Sequence, residues 1–88
     1  MKFEILLSDR FNRNYKKLND NEKAQLRKKL SLFIQDPFYP SLRTKHIKGT
    51  DDLFEFSVNM DVRVIWSYRE GKIILLLDIG HHNILNRY

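Results

Sequence analysis

Ile73 to Leu77 is an unbroken run of five aliphatic residues, preceded by Glu70-Gly71 and followed by Asp78-Ile79-Gly80. Such a run is too short to cross a bilayer, and between turn residues it reads as a strand buried on both faces. The rest of the chain packs against that wall. Immediately after Gly80 come His81 and His82, and the sequence closes on Arg87 and Tyr88. A greasy strand, a glycine and a titratable cluster in that order deliver chemistry to a sheet edge. The bland alternative is a central strand with a frayed polar tail.

The 88 residues read as one domain, 1–88, with no repeat and no low-complexity linker. A chain of this size buries only roughly 60 to 65% of its unfolded surface, so a single core carries its stability. Without cysteine there is no disulfide framework and no thiolate metal site, which fits a reducing compartment. The start, MKFEILLSDRF, interrupts its apolar run too early for a signal peptide, and no stretch is long enough for a transmembrane helix. A cytoplasmic protein with no membrane contact is expected. Sixteen Lys plus Arg against eleven Asp plus Glu give a net charge of +5 and a pI near 9.6. That balance attracts polyanions, nucleic acid among them, or an acidic protein.

Lys2 to Leu7 alternates, with Phe3, Ile5 and Leu7 on one face, and predicts a short strand. Ser8-Asp9 can cap a first helix whose stripe is Phe11, Tyr15 and Leu18; Asn19-Asp20-Asn21 stops it and caps a second. Leu26, Leu30, Phe33 and Ile34 recur there at helical spacing until Asp36-Pro37, where the residue before proline leaves the α region. Pro37 to Ser41 is a loop with two exposed-looking aromatics. Arg43, Lys45, His46 and Lys48 then form a basic arm or short strand. From Leu53 the runs LFEFSV, VRVIWSY and KIILLLDI, joined by short polar turns, read as an antiparallel meander. The expected class is α+β, a two-helix hairpin on one face of a small, mainly antiparallel twisted sheet.

Period two sorts the faces. With tight turns Ser57 lies opposite Arg63, and Arg63 opposite Leu77. One face then carries Phe54, Phe56, Val64, Trp66, Ile74 and Leu76 and takes the helices. The other carries Glu55, Ser57, Arg63, Ile65, Leu75 and Leu77, an uncovered mixture on which something should sit. Alternating strand directions bring Asp61 and Arg63 to the same end as His81 and His82. Arg63, His82 and Tyr88 are expected to line one cleft, with Lys45, His46 and Lys48 at its rim.

Histidine titrates near neutrality and suits either proton role in cleaving a phosphodiester by its own 2′-OH, while arginine's planar fork suits phosphate oxygens. Taken singly, His82 reads better as a solvated cap and Arg63 as a surface partner of Asp61 or Glu55. A zinc site would need His81, His82, His46 and Asp61 or Asp78 to converge, and the adjacent histidines diverge in an extended chain, so no metal or cofactor is expected. No glycine loop for phosphates and no serine-nucleophile signature is present.

The segments HIKG, FEFSV, DVRVIW and IILLLDIGHH, with a terminal tyrosine, resemble the RelE/ParE toxin superfamily, within it the RelE and YafQ-like branches, over nearly the whole chain. The resemblance implies a RelE-like microbial RNase fold and a toxin that cleaves mRNA in the ribosomal A site by a metal-independent 2′-OH mechanism. It also implies silencing by an antitoxin, and so a hetero-oligomer. Position by position, Arg63 matches the phosphate-contacting arginine, His82 the proton-transfer position and Tyr88 the near-terminal tyrosine that stacks on substrate. Asp61 and His46 match YafQ-like positions, and Arg43, Lys45, Lys48, His81 and Arg87 are expected on the RNA. The family's strand-three lysines correspond to Glu55 and Ser57, which leaves the general base open between His46 and Asp61. The alternatives are a ParE-like toxin that poisons DNA gyrase without nuclease activity and an attenuated homologue that only binds antitoxin.

Overall fold

The computed structural model describes residues 3–88, so Lys2, at the head of the expected first strand, lies outside the described residues. Strand β1 (Glu4–Leu7) leads into helices α1 (Asp9–Tyr15) and α2 (Asp20–Gln35). A 3-10 turn (Pro40–Leu42), β2 (Lys45–His46), β3 (Phe54–Ser57), β4 (Val62–Tyr68), β5 (Ile73–His81) and a second 3-10 turn (His82–Arg87) follow. The five strands form one sheet in the order β1-β5-β4-β3-β2, parallel only where β1 meets β5. This is the α+β arrangement expected from the sequence, two helices on a mainly antiparallel sheet.

The helix boundaries follow from local chemistry. The Ser8 hydroxyl accepts from Phe11 N at 3.0 Å and donates to Leu77 O at 2.6 Å, so the cap of α1 also ties the helix to β5. At α2, Asn19 Oδ1 accepts from Glu22 N at 2.8 Å while Glu22 Oε1 accepts from Asn19 N at 2.9 Å, a complete capping box. Helix α1 ends at Tyr15, earlier than its apolar stripe, yet Leu18 is still buried in the core. Asp36, before Pro37, is extended and terminates α2.

Between helices and sheet lies an aromatic core. Phe33 packs at 4.7 Å from Phe56 and edge-on at 5.0 Å to Trp66, and Trp66 stacks on Phe54 at 4.7 Å. Burying each such ring is worth roughly 1.5 to 3 kcal/mol, a large share of a small domain's margin. In the loop before β2, Phe38 and Tyr39 are exposed as expected.

The register between β4 and β5 departs from the sequence expectation. Ser57 does pair with Arg63, but Arg63 pairs with Gly80 and not with Leu77. The connection after Tyr68, with Gly71 at φ 59°, is wider than a tight turn, so Tyr68 pairs with Ile74. A β-bulge adjoins Ile65 and Trp66, which pair with Asp78 and Leu76 and leave Leu77 over. The wider turn preserves the faces, but the bulge reverses them beyond Asp78. Ile79 therefore joins the helix-side core.

The second face is not left open either. The turn His82–Arg87 folds back over it, Ile84 packing with Ile47 and Ile65, and Leu85 and Tyr88 joining Leu53 and Leu77 around them. Gly80 is needed beneath that turn, because a Cβ there would lie 2.5 Å from Ile84 Cγ2. The same fold-back brings Tyr88 to Asp78, whose fully buried carboxylate accepts from Tyr88 OH at 2.8 Å, Asn14 Nδ2 at 2.7 Å and Ile79 N at 2.8 Å. Burial, and then the bond to Asp78, push the Tyr88 phenol up, with Arg10 pulling it the other way.

Two measurements check this description. Asn19→Ala should lower stability by about 1 kcal/mol in denaturant unfolding, the usual cost of a lost N-cap. The fold favours neutral Tyr88, so its contribution is complete below the phenol's ordinary 10.0 and is lost as pH rises through the raised value. Stability should accordingly fall more steeply above pH 10 in the wild type than in Tyr88→Phe.

Candidate active site

Backbone alternation on the face away from the helices builds the site. Lys45 pairs with Glu55 across β2 and β3, and Ser57 with Arg63 across β3 and β4, so all four share that face. Together with Arg43 and His82 they line a cleft of about 250 Å³. Arg43 stands at φ 53° at the end of the turn Pro40–Leu42, a left-handed position, while Leu42 beneath it is fully buried. His82 opens the C-terminal turn at the end of β5.

Arg63 is held in place. Its Nη1 donates to Asn59 O at 2.8 Å and, less closely, to Val62 O at 3.3 Å, and its Nε lies 3.6 Å from Glu55 Oε1. Asn59 organises the preceding turn, its Oδ1 accepting from Asp61 N at 2.8 Å and Val62 N at 2.7 Å, and its Nδ2 donating to Gln25 Oε1 at 2.7 Å. Glu55 is buried against this arginine, its side chain only 8% exposed. Three cations and an imidazole therefore surround one carboxylate, which leaves the cleft positive and suited to an anion.

Of the residues singled out from the sequence, Arg43, Lys45, Arg63 and His82 come together here. Asp61 stands at the margin, two-thirds exposed, with Oδ1 3.4 Å from His82 N. Lys48 and His46 line an adjoining hollow of about 310 Å³ that shares Lys45 and Glu55 with the cleft. His46 does not enter the cleft. It pairs with Phe54, one residue out of step with Lys45, and its ring lies edge-on to Phe54 at 5.4 Å with Nε2 3.3 Å from Asp51 O.

His81, expected on the RNA, instead places Nε2 3.0 Å from Glu22 Oε2 in the first turn of α2 and 3.6 Å from Asp61 Oδ2. Arg87, expected on the RNA, and Tyr88, expected at the cleft, are both drawn to Asp78, with Arg87 Nη1 at 3.8 Å. The physical reason is the fold-back of the tail, which aims its last residues at the bulge. Glu55 was missed as a functional group. Its signal was legible, since alternation with Ser57 opposite Arg63 already set it on the right face.

A carboxylate and an imidazole in one cleft can serve as a base and an acid on either side of a reacting group, and the arginine and lysine as binders of a phosphate. Among the described residues no group of three or more His, Cys, Asp or Glu is placed to hold a metal ion. None of the described helices is long and apolar enough to cross a membrane.

No protein-family model matches the chain, and no curated protein matches it either. Solved structures do. A chain of the archaeal RelE–RelB complex from Pyrococcus horikoshii superposes with a TM-score of 0.76 at 18% identity, covering 92% of this chain and 96% of that one. YafQ from E. coli gives 0.77 at 16% identity, with 96% and 98% covered. The RelB–RelE complex from Methanococcus jannaschii gives 0.74 at 15% identity, with 94% and 96% covered. At such low identity what is shared is the course of the backbone, helices and sheet alike, over almost the full length of both chains. The chain has the fold of the RelE and YafQ toxins.

Proposed function

We propose that the protein is the toxin of a toxin–antitoxin pair and acts as an endoribonuclease on mRNA, with the ribosomal A site as the place of cleavage. The observation that carries the reading is the meeting of Glu55, Arg63 and His82 in one positive cleft. Arg63, with Lys45 and Arg43, would bind the scissile phosphate and stabilise the charge of the phosphorane. Glu55 takes the proton from the 2′-OH as its oxygen bonds to phosphorus. The bond from phosphorus to the 5′ oxygen then breaks, and protonated His82 gives that oxygen its proton, leaving a 2′,3′-cyclic phosphate. No metal enters these steps. Each positioned proton transfer is worth roughly 10² to 10⁴ in rate.

Glu55 takes the base role that the sequence left between His46 and Asp61. His46 lines the adjoining hollow rather than the cleft and Asp61 is solvated at the margin, whereas Glu55 sits inside the cleft beside Arg63. A resident base also weighs against an attenuated homologue.

The partner is an antitoxin, as in the RelE–RelB and DinJ–YafQ complexes that share the fold. The sheet face expected to receive it is largely taken by the C-terminal turn. A second apolar hollow, lined by Leu7, Phe11, Tyr15, Leu26 and Leu30, lies between β1 and the helices, with Leu6 and Leu7 exposed beside it on an edge strand. Arg27 at that hollow and the chain's +5 charge favour an acidic amphipathic segment there.

Induced expression should arrest translation, with primer extension revealing new mRNA ends. His82→Ala, Glu55→Gln and Arg63→Ala should each reduce cleavage at least a hundredfold. Wild-type cleavage by both His82→Ala and Glu55→Gln would overturn the mechanism, and inhibition of gyrase supercoiling without cut mRNA would favour the gyrase reading. For the partner, Leu7→Glu should release an antitoxin that copurifies with the wild type; retention at full strength would move the docking surface elsewhere.

A further inference from the structure

The residue asked to give the proton, His82, has little of its own to hold it. It begins a six-residue 3-10 turn, and its backbone N reaches Asp61 Oδ1 only at 3.4 Å. A 3-10 segment of that length does not persist unaided, because its hydrogen bonds are strained and few. Something beyond the turn must fix it.

Two anchors are present. Ile84 is seated over Gly80 and against Ile65. The other is the fully buried carboxylate of Asp78, which receives Tyr88 OH at 2.8 Å and stands 3.8 Å from Arg87 Nη1. A buried carboxylate is costly unless its oxygens are satisfied. Here Asn14 Nδ2 and Ile79 N serve Oδ1, and the tail's last two residues serve Oδ2. Lifting the tail would strip Oδ2 of both partners, so the carboxylate itself resists release. The bulge beside Asp78 is the same irregularity that sets Gly80 opposite Arg63, immediately before the turn that carries His82.

We infer that Asp78 and Tyr88 form a clasp that holds the C-terminal turn down and thereby positions His82 beside Arg63, so that both are positioning residues and Tyr88 does not stack on substrate. The role of His82 as the acid rests on the function proposed above; the clasp itself does not. Asn14 extends the clasp to α1, so the seating of that helix is coupled to the cleft.

Tyr88→Phe keeps the ring packed in the apolar cluster and removes only the hydroxyl; Asp78→Asn keeps the shape and removes the charge. Hydrogen exchange of amides 82–87 should quicken roughly ten- to hundredfold in Tyr88→Phe, the loss expected for one hydrogen bond to a charged group, while amides of β4 keep their protection. RNA cleavage should lose about tenfold or more in kcat with KM nearly unchanged, whereas a stacking role for Tyr88 would raise KM and leave exchange alone. Should Asp78→Asn fail to fold, Tyr88→Phe decides the matter alone. Unchanged exchange of 82–87 in Tyr88→Phe overturns the clasp, and a loosened turn with wild-type kcat overturns the positioning. The exchange arm needs no RNA: a wild type that cleaves nothing sinks the proposed function, while quickened exchange still supports the clasp.

Discussion

Where β5 lies against β4 decides almost everything else in this molecule. Trp66 pairs with Leu76 and Ile65 with Asp78, leaving Leu77 without a counterpart. That single extra residue turns Ile79 into the helix-side core, sets Gly80 across from Arg63 and places a carboxylate in the interior. A bulge locally raises twist and re-aims side chains, and here it re-aims the end of the strand that delivers His82. The aromatic packing of Trp66 with Phe33 and Phe54 fixes the strand on which the bulge sits.

The cleft gains from being built on paired strands. Lys45, Glu55, Ser57 and Arg63 project from one face of three hydrogen-bonded strands, so their spacing is set by backbone geometry and little entropy is left to lose on binding. Arg63 is further fixed by the Asn59 carbonyl. A buried carboxylate beside that arginine, ringed by other cations, is a poor arrangement for stability alone, since solvation is lost on both partners. It suits a site that must meet a phosphate and remove a proton in the same place.

The last seven residues serve the core and the cleft together. A sheet face carrying Ile47, Leu53, Ile65 and Leu77 would be unfavourable in water, and the C-terminal turn covers it with Ile84, Leu85 and Tyr88. Because His82 opens the same turn, covering that face and presenting the imidazole are one event. Gly80 permits the close approach on which both depend.

Much was legible in order along the chain. Ser8 and Asn19 announced their helices, Asp36-Pro37 ended the second, and alternation assigned Glu55, Ser57 and Arg63 to one face, because caps and period two are properties of a segment read by itself. The same rule, applied to the arm, separates Lys45 from His46 once a partner strand fixes the register, and that pairing was not in the sequence. Tertiary structure alone decided the bulge at Leu77, the fold-back of His82–Arg87 and the capture of Tyr88 by Asp78. An inserted residue leaves no periodic trace, and a short turn takes its place from distant contacts; residues 10 and 64 apart, Tyr88 with Asp78 and Asn14 with Asp78, meet only when the sheet and helices have already closed.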